Sequence, residues 1–209
     1  MPCCTPHGCD ELFGERFARR TAKRYRERGL DETASDLHEF LARRGGASAL
    51  EIGGGVGALV AELVRGGVER GQLVEVVPAY EPYARQLFED AGVEVDFRLA
   101  DLVTEPDAVE PADLVVLNKV VCCTPDGPEL LAAAAAHTRV ALAFSYPRER
   151  LLFRTVVRLQ NLFFRLARRR FRVFVHPRGR LLGAAEANGL QLVHEHDGFV
   201  WATAGFVRA

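Results

Sequence analysis

The sequence has no apolar run approaching the ~20 residues that span a bilayer, and its opening segment, Pro2 to Asp10, lacks the apolar stretch of a secretory signal. Both absences lead us to expect a soluble, cytoplasmic protein. Excess charge is missing too: 27 Lys and Arg stand against 28 Asp and Glu, for a formal net charge of -1. Without a net positive field, nucleic acid is not an expected partner, and any electrostatic function must be local. The cysteine layout excludes a further class. Five cysteines is an odd number, and Cys3-Cys4 and Cys122-Cys123 are adjacent pairs, an arrangement unsuited to a secreted disulfide framework. We therefore read the thiols as reduced. Internal repeats, low-complexity tracts and flexible linkers are also absent, so 209 residues at 48% hydrophobic composition fit one core.

What is present alternates. From Asp10 to Arg44 the apolar residues Leu12, Phe13, Phe17, Leu37, Phe40 and Leu41 recur at helical spacing. Gly29 is a break and Asp31 a candidate N-cap, which predicts two helices. Strand-like runs then alternate with helical patterns: Ala49–Ile52 with a helix from Gly57, Leu73–Val77 with a helix from Pro78, Val93–Leu99, Leu114–Leu117 with a helix from Pro128, and Val140–Phe144. This is the pattern of β-α-β units on a parallel sheet. Between Pro147 and Arg172 lies a long cationic amphipathic helix, or two: Leu151, Leu152, Val156, Leu159, Phe163 and Leu166 form a stripe, with arginines mainly off it. Phe171–Val175 reads as extended, Pro177 as the first position of a helix to Asn188, and Gly189 as its C-cap. Two final strands, Leu190–His196 and Phe199–Val207, meet at the hairpin dipeptide Asp197-Gly198, so the sheet should end in an antiparallel pair.

The stretch "LEIGGGVGALVAEL" is a strand, a glycine turn and a helix start, which suits a nucleotide cofactor. By itself the turn is ambiguous between a nicotinamide cofactor and S-adenosylmethionine. Glu51, two residues before Gly53, would repel cofactor phosphates but receive an ammonium group. Glu75 is placed to accept hydrogen bonds from ribose hydroxyls, and Asp101 offers an acceptor for an exocyclic amine. A neutral adenosine bearing an amino acid satisfies all three.

At this point the sequence resembles the class I S-adenosylmethionine-dependent methyltransferases. The resemblance rests on "EIGGGVG", "VEVVPAY", "LADL" and "ADLVVLNKVV", in the family's order. It implies an α/β fold with a doubly wound, seven-stranded, mostly parallel sheet whose last strand is antiparallel. It also implies Glu51, Gly53 and Gly55 around the methionine moiety, Glu75 with Val76 at the ribose, Asp101 and Leu102 at the adenine, and Asn118 near the sulfonium. S-adenosylhomocysteine is then the product. Glu75 stands where aspartate is commoner, and "GGGVG" has an extra glycine expected to loosen the turn. The chain divides, on this reading, into an N-terminal helical lid (1–46), a cofactor core (47–146), a helical acceptor-side insertion (147–176) and a final helix with strand hairpin (177–209), all one domain.

The acceptor is less legible. In such folds the reaction lies beyond the carboxyl ends of the strands, where Tyr25, Asn118, Cys122, Cys123, Ser145, Tyr146, Arg148, Asn161 and His176 are candidates. His176 is a candidate base or a packing residue, Tyr25 a lid or core residue, and Arg148 a partner for a substrate carboxylate or a solvated surface group. His194 and His196 share one strand face and are expected to be solvent-facing rather than metal ligands. Cys3, Cys4, Cys9, Cys122 and Cys123 would suit a soft metal or metalloid if the N-terminus folds over the site; the alternative is a frayed end plus two small buried residues. The cationic stripe fits a flat apolar acceptor with carboxylates, an anionic membrane surface, or a lid with a solvated basic face. The expectation is methyl transfer to an O, N or S nucleophile of a small molecule, with no resident metal; the alternatives are a thiolate-dependent metal- or metalloid-binding methyltransferase or sensor using those five cysteines and, behind it, a nicotinamide oxidoreductase.

Overall fold

The computed structural model describes residues 8–209. Its strands are β1 (Ser48–Ile52), β2 (Arg70–Glu75), β3 (Val95–Leu99), β4 (Ala112–Leu117), β5 (Thr138–Pro147), β6 (Leu190–Asp197) and β7 (Trp201–Arg208). They form one sheet in the order β3-β2-β1-β4-β5-β7-β6. The first five are parallel, and β7 runs antiparallel between β5 and β6. The helices are α1 (Cys9–Leu12), α2 (Glu15–Arg28), α3 (Glu32–Ala42), α4 (Ala58–Arg65), α5 (Glu81–Ala91), α6 (Gly127–Ala136), α7 (Leu151–Leu166) and α8 (Arg178–Glu186).

Alternation along the strands divides the interior into two cores. Ala49, Leu73, Val116, Ala141 and Ala143 face α3, α4 and α5, while Leu50, Val74, Val115, Leu142 and Phe144 face α6 and α8. The first face is rich in small residues, which lets helices approach the sheet closely. At Gly205 a Cβ would stand 2.6 Å from the Phe40 ring of α3, so β7 needs glycine there.

The parity of β1 and β2 has a second effect. Glu51 and Glu75 fall on the same face as Ala49 and Leu73, so both carboxylates are turned inward toward α4 and the turn preceding it.

Several boundaries differ from the sequence reading, each for a physical reason. Among the described residues three helices precede β1, because Gly14 separates the single turn α1 from α2. Asp31 does cap α3, its Oδ1 accepting from Ala34 N–H at 3.1 Å. Strand β5 runs past Phe144 to Pro147, since antiparallel pairing with β7 continues to Pro147–Trp201 after β4 has ended at Leu117–Phe144. The β6–β7 hairpin has a three-residue connection, Gly198 to Val200. Pro177 is the N-cap of α8 rather than its first helical residue. The insertion is a single helix, α7. Phe171–Val175, expected to be extended, forms neither helix nor strand and does not join the sheet.

Candidate functional site

The carboxyl ends of β1 and β4 lie side by side where the strand order reverses, which is where an open α/β sheet forms its crevice. Three alternate glycines shape the turn after β1: Gly53, Gly55 and Gly57 have φ of 63°, 61° and 71°. Space forbids a side chain as firmly as the dihedrals do, because a Cβ at Gly53 would lie 2.7 Å from Val120 and one at Gly57 2.7 Å from the Phe88 ring.

Two carboxylates brace this turn from within. Glu75 Oε2 accepts from Gly55 N–H at 2.8 Å, while its Oε1 accepts from Val76 N–H at 2.8 Å and Val77 N–H at 2.9 Å. Glu51 Oε2 accepts from Val60 N–H in the first turn of α4 at 2.9 Å. Both are buried, at 2% and 4% exposure for Glu51 and Glu75. Burial pushes the Glu51 carboxyl up to about 8; the Val60 N–H opposes this and the neighbouring Glu75 adds to it. Burial raises Glu75 as well, against the pull of its three N–H donors. Gly54 is explained here: a Cβ there would occupy the same space as the Glu51 carboxyl group. The extra glycine therefore accommodates Glu51 instead of merely loosening the turn, and Glu51 lies beneath the turn, with any effect on a bound cation transmitted across it.

At the end of β3, Asp101 Oδ1 accepts from Val103 N–H at 3.0 Å, and Leu102 is buried under it. At the end of β4, Ser145 Oγ donates to Asn118 Oδ1 at 3.0 Å and accepts from Lys119 N–H at 2.7 Å. Lys119 has φ 61°, an unusual conformation for a non-glycine residue and one that concentrates at functional sites. Its ammonium pairs with Asp31 at 2.6 Å, and Asp31 also holds Arg24 at 2.9 Å. This ties the N-terminal helices to the end of β4. Burial alone would raise Asp31, but the Lys119 ammonium, the Ala34 N–H and Arg24 outweigh it and hold the carboxyl below its ordinary range.

Helix α1 and the segment after α7 meet one another. Glu11 of α1 accepts from Arg170 N–H at 2.7 Å and from its guanidinium at 2.8 Å, and Phe13 meets Phe171 edge-on at 5.3 Å. The strap beyond α7 is held by Asn161, whose side chain pairs both ways with the Val173 backbone, and by Phe174 N–H donating to Cys122 O at 2.8 Å. Cys9 Sγ points at Cys123 O, 4.0 Å away. Its thiol is pushed up to about 12 by burial and then by Glu75, Asp10, Cys122 and Asp101.

Some predicted residues have other occupations. His176 Nε2 lies 2.9 Å from Val121 O and 3.0 Å from Thr124 O; carbonyls only accept, so this nitrogen carries a hydrogen and fastens the strap to the segment after β4. The Tyr25 hydroxyl donates to Glu62 of α4 in a crevice with Arg65 and Leu87, away from the strand ends, and burial followed by the Glu62 hydrogen bond pushes it to about 12. Arg148 binds Asp197 and, at 2.9 Å, the Gly198 carbonyl, closing the β6–β7 hairpin. His194 and His196 are not simply solvent-facing: both reach Asp36 of α3, at 3.1 Å and 3.9 Å. Cys122 and Cys123 both aim at the Lys119 carbonyl, at 3.6 Å and 3.7 Å, with their sulfurs 3.9 Å apart. Among the described residues no His, Cys, Asp and Glu group is arranged to hold a metal ion. Cys3 and Cys4 lie outside the described residues. A shallow cavity of about 820 Å³, lined by Arg70, Gln72, Asp96 and Arg139, opens at the amino ends of the strands, remote from this constellation.

Sequence reasoning missed Lys119, Tyr80 and the second role of Asp31. The Tyr80 ring abuts Gly55, 3.0 Å from where a Cβ would sit. Its only sequence signal was its place at the end of "VEVVPAY".

A family model described as a methyltransferase domain matches residues 22–195, most of the chain. The chain belongs to this methyltransferase family. The nicotinamide reading is set aside with that result. The fold of this methyltransferase is similar to that of magnesium protoporphyrin IX methyltransferase from Synechocystis PCC 6803 with bound SAH, at 15% identity and TM-score 0.75 over 95% of this chain and 97% of that one. It is similar also to the N-methyltransferase NodS from Bradyrhizobium japonicum in complex with S-adenosyl-L-homocysteine, at 16% identity and TM-score 0.64 over 93% and 97%. An O-methyltransferase family protein from Burkholderia thailandensis aligns at 17% identity and TM-score 0.72, over 92% of this chain and 58% of that one. No curated protein matches the sequence. Among the described residues no helix of the methyltransferase is long and apolar enough to cross a membrane.

Proposed function

We propose that this methyltransferase takes its methyl group from S-adenosylmethionine and transfers it to a small-molecule nucleophile in the cytoplasm. The observation that carries the reading is the glycine turn closed on Glu75: alternate glycines strip the wall of side chains, and Gly55 N–H fixes the acid at the end of β2. That cradle fits an adenosine bearing an amino acid. A carboxylate has about four acceptor positions, and the three N–H groups on Glu75 leave capacity for a ribose hydroxyl. Val76 lines the same edge, Asp101 and Leu102 serve the adenine amine and ring, and Gly53, Gly55 and Asn118 surround the methionine end, with Glu51 beneath. S-adenosylmethionine supplies an electrophilic methyl on a sulfonium.

The protein's own part is alignment and exclusion of water. Ser145 holds Asn118 Oδ1, which leaves the Asn118 amide hydrogens to orient a reactant. Cover comes from α1, the strap after α7, and the Lys119–Asp31 tie, so we read residues 1–46 and 147–176 as two halves of one lid. With His176 committed to two carbonyls and Tyr25 to Glu62, the reading favours an acceptor that needs no protein base, such as a carboxylate or an already neutral amine. Calorimetric titration tests the donor: S-adenosylhomocysteine binds, Glu75→Ala weakens it sharply, and NADH does not bind. Failure of both S-adenosylmethionine and S-adenosylhomocysteine to bind overturns the proposal.

A further inference from the structure

Helix α7 presents its apolar residues to solvent. The face turned to the protein carries Phe153, Val157, Asn161 and Phe164, of which Phe164 is buried against Phe171 at 6.0 Å. The opposite arc carries Leu151, Leu159, Phe163 and Leu166 at 77%, 61%, 64% and 75% exposure. At 100° per residue these side chains fall within about a third of the helix circumference, and Arg154, Arg158 and Arg165 line up along one border of that arc. Phe199, at the tip of the β6–β7 hairpin and 75% exposed, meets Phe153 edge-on at 5.8 Å on the docked side of the helix. The outward arc of α7 itself is a row of leucines and a phenylalanine open to solvent, an apolar stripe of the kind that marks an interaction face.

Charge selects what covers it. Not one Asp or Glu occurs between Glu149 and Glu186, while Arg150, Arg154, Arg158, Arg165, Arg168 and Arg169 all lie in or beside the helix. A second copy seated on this face would bring a matching set of arginines against the first with no carboxylate between Glu149 and Glu186 to answer them. An anionic bilayer answers both features: its phosphates meet the guanidinium border, and its acyl boundary receives the leucine and phenylalanine arc to a depth of about 5–10 Å.

We propose that the outward arc of α7 forms a peripheral membrane-binding face that seats the protein on anionic phospholipid. The helix lies in the plane of the interface and does not span it. Seating leaves the body intact, because the residues that anchor α7 through Phe164, Asn161 and the Val173 backbone lie on the other side of the helix.

Co-sedimentation of the full chain with lipid vesicles tests this independently of any activity. Expected are binding to vesicles of phosphatidylcholine mixed with phosphatidylglycerol at low salt, none to phosphatidylcholine alone, and release as salt is raised. Replacing Arg154, Arg158 and Arg165 together by Gln lowers the partition constant by roughly a hundredfold, on the scale set by arginines at an anionic surface. Leu159→Ser with Phe163→Ser abolishes binding while thermal unfolding stays near wild type, since both side chains already face solvent. No binding to the anionic vesicles overturns the proposal. So does a dimer in sedimentation velocity without lipid that the Leu159→Ser, Phe163→Ser variant dissociates, because the face is then covered by a second copy.

Discussion

Replacing Glu51 by Gln should stabilise the protein, and only above acidic pH. The Glu51 carboxyl sits at about 8 in the folded protein against an ordinary 4.5, because burial penalises its charged form. Below 4.5 the carboxyl is protonated in both folded and unfolded chains, and its linkage contribution is nil. Between the two values the unfolded chain releases the proton and the folded chain keeps it, so stability falls as pH rises, by up to about 1.4 kcal/mol per pH unit. At pH 7.5 the accumulated cost is about 4 kcal/mol, and it levels off near 5 kcal/mol above pH 8. The glutamine side chain of Glu51→Gln keeps the shape and can still accept from Val60 N–H through its amide oxygen, but has no proton to lose. For a chain of this size that difference raises the melting temperature by roughly 10 °C at pH 7.5. The assay is thermal unfolding of both proteins by circular dichroism between pH 4.5 and 8.5, without added ligand. Two melting curves separated by a constant offset, or a variant less stable than wild type at pH 8, would refute the account of Glu51 as a buried acid held protonated beneath the turn.

Gly54→Ala should cost about 1–3 kcal/mol in urea unfolding, because its methyl competes with the Glu51 carboxyl for space; the cost should shrink when Glu51 is also cut to Ser. Removing the His176 imidazole with His176→Ala takes a donor from the Val121 and Thr124 carbonyls and should destabilise by about 1–3 kcal/mol. The pH profile of methyl transfer should keep its shape in that variant, and loss of a limb would return His176 to the role of base. Asp31→Asn keeps the cap of α3 but loses the negative charge that pairs with Lys119 and Arg24, and about 1 kcal/mol of stability at neutral pH. Because Asp31 is held below its ordinary 3.8, its contribution is present above that value and is lost as pH falls through the folded one; the difference between variant and wild type should therefore narrow in acid denaturation measurements.

The glycine turn, the strand alternation, the antiparallel finish and the Asp31 cap were legible in the chain because each is a local rule: a period, a dihedral demand, a cap. "EIGGGVG" and "VEVVPAY" fixed the positions of Glu51 and Glu75 by spacing from a turn. Whether those acids lie beneath the turn or close its edge depends on strand parity together with the place of α4: Glu51 went beneath the turn onto Val60 N–H, while Glu75 closed on Gly55 N–H at the end of β2. His176, Tyr25 and Arg148 were read as candidates at the site because loops after strands converge there. Their partners, the carbonyls of Val121 and Thr124, Glu62, and Asp197, lie at least 37 residues away in the chain, and no local pattern announces them. The stripe on α7 is the converse case. Periodicity revealed that the helix has two faces, but periodicity is blind to direction, and the usual assumption buries the apolar one. Tertiary contacts alone decided that Phe164 and Asn161 hold the helix while Leu159 and Phe163 look outward, because a helix docks by whichever side finds shape and hydrogen-bond partners, and here those were Phe171 and the Val173 backbone.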